Sequence, residues 1–129
     1  MQNYNLKKLS FLLFICSLGY CTIISPHPRL TVNKNNIALG NIPFDSTISI
    51  QYVLYNLGNL DLVIDTVTAS CDCTVPKLLK KIIVPHDSSN LLIQFKPVNI
   101  GEFNKAVIIK SNIDSSFTIL KFSGFAIKK

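Results

Sequence analysis

A chain of 129 residues has room for one domain of ordinary size. Hydrophobic residues make up 48 % of it, enough for a single core, and 13 basic against 7 acidic residues give a formal net charge of +6. The bases are scattered and include a single arginine, Arg29, so the dense basic stripe of a nucleic-acid binder is missing and no nucleic-acid partner is expected.

The N-terminus reads as an address. Lys7 and Lys8 precede an apolar run from Leu9 to about Ile24, the order of a secretory signal. The run is shorter than the ~20 residues of a comfortable membrane span. Residues 1–24 are therefore taken as a signal peptide, a lipoprotein signal or an uncut anchor. Leu18-Gly19-Tyr20-Cys21 resembles a lipobox, in which Cys21 becomes the lipidated first residue of the mature chain; Tyr20 stands where a small residue is usual. Ordinary cleavage near residues 21–25 competes with that reading. Either way the chain is expected to be exported, to the periplasm or anchored to the membrane of the cell envelope. Cys16 and Cys21 belong to this segment, leaving Cys71 and Cys73 in the folded part, where disulfides persist outside the cytoplasm.

Beyond Pro26 and Pro28 the pattern is one of short strands: residues 29–33, 36–44, 46–58 and 60–70, then, after residues 73–79, "KKIIVP" (80–85), followed by 91–97, 102–112 and 116–127. Period-two alternation picks out Ile48, Ile50, Tyr52 and Leu54, then Leu60, Leu62, Ile64 and Val67, as core candidates. Asn56-Leu57-Gly58-Asn59 and residues 86–90, "HDSSN", read as turns. No segment shows a sustained helical period with caps. The expectation is an all-β, immunoglobulin-like β-sandwich of about seven or eight strands over residues 29–129. An antibody-type domain is excluded. The chain has no Trp, and Cys71 and Cys73 are too close in sequence to staple two sheets.

The stretches "YNLGNLDLVIDTVTASCDCTVP", "IIVPHDSSNLLIQFKP", "GEFNKAVIIKSN" and "LKFSGFA" together resemble the bacterial domain of unknown function 1573 family. The matching positions are Asn56, Gly58, Cys71, Cys73, Thr74, Pro85, Phe95, Pro97, Gly101, Phe103, Ser111, Asn112 and Gly124, spread over about residues 35–127. The resemblance implies an immunoglobulin-like sandwich of the abnormal-spindle and hydin type in an exported or envelope protein, and assigns no biochemical role. The chain departs from the family pattern at Asp72 and at His86-Asp87, where the family favours glycine. Asp is among the residues that tolerate left-handed backbone, so these turns are expected to survive with some strain.

Cys71 and Cys73 are the one constellation with chemistry in it. On a regular strand residues i and i+2 lie about 6–7 Å apart. Closing a disulfide therefore needs a turn or bulge at Asp72, giving a small ring of the labile, redox-active kind. Against redox work, Asp72 disfavours a neighbouring thiolate, and no His or Lys adjoins the pair in sequence. Two thiolates can hold a soft metal, yet structural zinc takes four ligands, and His27 and His86 have no metal-like spacing to the pair. A structural turn, thiol redox and soft-metal binding all stay open, with the turn favoured.

Other candidates are weaker. His86-Asp87-Ser88-Ser89 contains hydrolase residue types, but consecutive turn residues cannot converge as a triad. Asp61, Asp65 and Asp114 lack calcium-loop spacing. Lys77, Lys80 and Lys81 read as a strand edge guarded by lysine. Tyr52 and Tyr55 are expected on opposite faces of one strand. The functional expectation is a non-catalytic exported module for protein–protein interaction or scaffolding, with no catalytic residue and no cofactor. Its partner is an unidentified protein, with membrane attachment through the N-terminal segment. The alternative is a thiol-redox or soft-metal module built on Cys71 and Cys73.

Overall fold

The computed structural model describes residues 24–113 and 116–129. The N-terminal segment with Lys7, Lys8, Cys16 and Cys21, and Asp114, lie outside the described residues. Nine strands follow in order: β1 (Leu30–Val32), β2 (Asn36–Pro43), β3 (Ile48–Asn56), β4 (Leu62–Ala69), β5 (Thr74–Leu78), β6 (Ile82–Ile83), β7 (Ser88–Phe95), β8 (Gly101–Ser111) and β9 (Phe117–Ile127). They form a four-stranded sheet, β1-β3-β7-β5, and a five-stranded sheet, β2-β9-β8-β4-β6. Pairing is antiparallel except between β2 and β9. The chain is thus an immunoglobulin-like β-sandwich, with no helix among the described residues.

The alternation seen in the sequence builds the core. Ile50, Tyr52 and Leu54 of β3 and Leu91, Ile93 and Phe95 of β7 face Leu62, Ile64, Val107, Ile109, Leu120 and Phe122 of the other sheet, all buried. Phe95 stacks its ring against Phe103 and Phe122, with centroids 4.8 and 5.1 Å away, a geometry that adds to the simple burial of area. The Tyr52 hydroxyl donates to the Lys121 carbonyl across the sandwich at 2.8 Å. Burial pushes the pKa of that phenol up to about 12. Tyr55, on the opposite face of β3, is exposed.

Two expectations change in detail. Leu60 is not core: it lies in the turn before β4 and is 47 % exposed, while its carbonyl accepts a hydrogen bond from Asn56 Nδ2 at 2.7 Å. The backbone of that turn is what the fold holds. Ser88, Ser89 and Asn90 belong to β7, paired with Tyr55, Leu54 and Val53, so only His86 and Asp87 remain in the turn. A bulge in β4 between Ile64 and Thr66 explains why Val67, three residues after Ile64, turns inward again.

The sheet edges are blunted. β1 has three residues and β6 two, while β2 is broken by a bulge at Ala38–Asn41, where Gly40 adopts φ 66. Just beyond the two ends of β5, Lys96 N–H donates to Cys73 O and Leu79 N–H to Asn90 O, so along this segment the odd-numbered residues are the ones that bond toward β7. Pro76 therefore falls at a position facing away from β7, where a free N–H would otherwise stand. Lys77 sits beside it. Proline and lysine on an edge discourage pairing with another chain.

Candidate functional site

Residues 70–73 form the turn by which the chain leaves β4 in one sheet and enters β5 in the other. Thr74 N–H donates to Cys71 O at 3.2 Å, closing the turn, and Lys96 N–H donates to Cys73 O at 3.0 Å, fixing it to the end of β7. The turn brings the two Cα atoms to 5.2 Å, and Cys71 and Cys73 are joined in a disulfide; that separation lies within the usual range of about 4.4–6.8 Å. Asp72 at its tip is exposed, and it is not left-handed: the only non-glycine with positive φ among the described residues is His86, at φ 65. Of the two glycine positions that the chain has lost, only the one at His86 is held in backbone that glycine prefers.

Both sulfurs are half-buried, and the Thr74 hydroxyl lies beneath them, 3.4 Å from Cys71 Sγ and 3.7 Å from Cys73 Sγ. Thr74 itself is buried. Neither sulfur of a disulfide carries a proton, so the hydroxyl is the donor. Cys73 also lines an open groove of about 650 Å³ with Thr47, Val75, Gln94, Lys96 and Val98. Register explains the assembly: Val75 pairs with Gln94, and one step further Cys73 meets Lys96. Val75 and Val98 are 56 % and 62 % exposed, leaving apolar surface open at the groove. Thr47, Lys96 and Val98 had no local signal in the sequence, because they converge from two different connections, β2–β3 and β7–β8, on the cysteine turn. A soft metal would need the two cysteines as thiolates, and among the described residues no three His, Cys, Asp or Glu side chains converge to hold one.

The other positions of the family pattern hold the fold together. Asn56 is fully buried. Its Oδ1 accepts from the N–H of Arg29 at 3.2 Å and of Gly58 at 3.0 Å, and its Nδ2 donates to the carbonyls of Leu60 and Ile83 at 2.7 and 2.8 Å. One side chain thus ties together the residue leading into β1, the turn after β3, and β6. Gly58 is required by contact: a Cβ there would lie 2.3 Å from the His27 carbonyl oxygen. Gly124 has the same role between Gly40 O and the Phe103 ring, each 2.7 Å from an added Cβ. Gly101 sits at φ 121. Asn112 accepts from Val63 N–H at 2.9 Å and donates to Asp61 O at 3.0 Å, bridging β8 to the start of β4. Pro85 precedes the left-handed His86 in the turn into β7.

The hydrolase-like cluster is divided between a turn, which holds His86 and Asp87, and the start of β7, which holds Ser88 and Ser89. Ser89 Oγ accepts from Lys80 N–H at 2.9 Å and donates to Lys80 O at 3.1 Å. Asp87 pairs with Lys80 Nζ at 3.1 Å; the Ser88 N–H and then Lys80 hold its carboxyl below the usual range. His86 faces elsewhere, lining with His27, Arg29 and Gly58 a shallow groove of about 210 Å³.

Comparison with known proteins agrees with this geometry. The structure is similar to that of a protein of unknown function from Porphyromonas gingivalis W83, with TM-score 0.70 and 15 % identity over 78 % of this chain and 47 % of that one. The chain therefore spans about half the length of that protein. It is also similar to the ASH / PapD-like domain 7 of human CEP192, with TM-score 0.65 and 11 % identity over 83 % of this chain and 94 % of that one. The third is WR4, a member of the MSP family from C. elegans, with TM-score 0.54 and 14 % identity over 78 % and 100 %. These likenesses establish the fold alone. No curated protein matches the sequence. The model of the family "Protein of unknown function (DUF1573)" matches residues 30–126, and the chain belongs to that family.

Proposed function

We propose that this domain is a non-catalytic binding module, exported to the bacterial cell envelope, that takes a segment of a partner protein in the groove beside Cys73. The observation that carries the reading is the groove itself: about 650 Å³, open, with Val75 and Val98 exposed at its walls and Gln94, Lys96 and Thr47 supplying polar contacts. An apolar concavity with a few polar groups is the common form of a recognition site. Recognition here works through side chains. Strand addition, the usual resource of a sandwich, is discouraged by Pro76 and Lys77 on the adjacent edge. The N-terminal segment delivers the module to the envelope and, with Cys21 lipidated, holds it on the membrane.

The test is site-specific photo-crosslinking in the native cell. A crosslinker at Val98 is expected to yield a discrete protein adduct that disappears when Val75→Asp is added. The same crosslinker at Thr66, exposed on the other sheet, is expected to yield none. Equal adducts from both sites, or an adduct at Val98 indifferent to Val75→Asp, would refute the groove. The intact mass of the mature chain from the membrane fraction tests the anchor: a lipid-shifted mass beginning at Cys21 is the expected result.

A further inference from the structure

We propose that the Cys71–Cys73 disulfide is a thiol-exchange site of fixed polarity, in which an incoming thiolate attacks Cys73 and Cys71 is the leaving sulfur. Two independent features of the turn set that direction, and charge does not oppose it. Access comes first. Cys73 is the cysteine that lines the open groove, and Cys71 is not among the lining residues. Exchange needs an incoming thiolate to reach one of the two sulfurs, and the groove brings it to the cysteine that lines it, Cys73.

Leaving-group stabilisation comes second. As the ring opens, negative charge develops on the sulfur that departs. The Thr74 hydroxyl donor stands nearer to Cys71 Sγ, at 3.4 Å, than to Cys73 Sγ, at 3.7 Å. A hydrogen bond to a charged acceptor is markedly stronger than one to a neutral sulfur, so this donor favours release of Cys71 as thiolate. Lys96 and Asp72 both line the groove with opposite charges, so approach there is neither steered nor barred by net charge. The site also lies in a turn between two sheets, outside the strand pairing, so opening the ring leaves the β4 and β5 ladders intact.

The step balances. The incoming thiolate forms a bond to Cys73 Sγ, the Cys71–Cys73 bond breaks, and its electron pair leaves on Cys71. A second thiolate then attacks the mixed disulfide at the incoming sulfur, releasing a new disulfide and Cys73 thiolate. Two external thiols are oxidised and the protein disulfide is reduced. The donor is a thiol, free or on a peptide.

The decisive experiment exposes the mature, oxidised chain briefly to glutathione, quenches in acid, alkylates, and maps the modified peptide by mass. Glutathione on Cys73 with the alkyl group on Cys71 is expected, in roughly tenfold excess over the reverse arrangement, the ratio a single charge-assisted hydrogen bond supports. Thr74→Val is expected to slow opening about tenfold while leaving the unfolding midpoint near that of the parent. Equal or reversed labelling would overturn the proposal. So would an unchanged opening rate in Thr74→Val, or two alkylatable thiols in protein isolated in air. With a cysteine-bearing apolar peptide in place of glutathione the same polarity is expected. If Val75→Asp leaves the peptide's rate untouched while the polarity holds, the binding reading falls and the exchange site stands.

Discussion

At one end of the sandwich Asn56 is wholly buried, with its amide oxygen and nitrogen both committed to backbone partners. At the other, Cys71 and Cys73 stand half-exposed beside an open groove. Both belong to the same family pattern, and in the sequence the two segments look alike: a short polar motif between apolar strands. Their surroundings separate them. Each bond Asn56 makes satisfies a backbone group, and those of Gly58 and Ile83 would otherwise be stranded away from water, so its role ends with the fold. The cysteine turn is anchored by backbone hydrogen bonds of its own, which leaves the sulfurs free of structural duty beyond closing a small ring. A motif held together by its own turn, and open to solvent, is where a function can reside.

Three changes would break or sharpen that contrast. The largest effect belongs to Asn56→Ala, which strands two N–H groups and two carbonyls. At about 1 kcal/mol per lost partner the expected loss is about 4 kcal/mol, a large share of a small domain's stability. Chemical denaturation would show it as a lower midpoint with an unchanged slope. A loss under about 1 kcal/mol would mean that water replaces the side chain, and the contrast between the two ends would collapse.

The double variant Cys71→Ala, Cys73→Ala comes next. A cross-link spanning one intervening residue restrains little of the unfolded chain, and loop-closure entropy gives about 1.5 kcal/mol for so short a loop. The variant is expected to fold, with the same strand content by circular dichroism and a midpoint lowered far less than by Asn56→Ala. A loss as large as that of Asn56→Ala would make the disulfide a structural staple.

The smallest effect is a gain. His86 holds φ 65 in the turn before β7, at a cost of about 1–2 kcal/mol for an L-residue with a side chain. His86→Gly relieves that cost and adds about 0.8 kcal/mol of unfolded-state entropy. The expected balance is a stabilisation of about 0.5 kcal/mol, read as a small rise in melting temperature. A loss of stability would show that the imidazole contributes contacts of its own in the groove it shares with His27.

Local alternation determined much of this protein by itself. Ile50, Tyr52 and Leu54 were legible as one buried face because side chains on a strand alternate with period two. Most of the strands and the all-β class follow from the same rule applied along the chain, though β5, Thr74–Leu78, was not legible as a strand. What alternation cannot express is a change of step. The pairing register shifts at Ile64–Thr66, and Leu60 is exposed in a turn, its carbonyl held by the Asn56 side chain. Family resemblance flagged Asn56 and Gly58 without saying why; only the packed structure shows a side chain joining three segments and a missing Cβ making room for the His27 carbonyl. The candidate site divides in the same way. The cysteine pair announces itself in the sequence as two thiols one residue apart. Its neighbours Thr47, Lys96 and Val98 do not, because a groove assembled from separate turns is a property of how strands register across a sheet, and register is settled by tertiary packing.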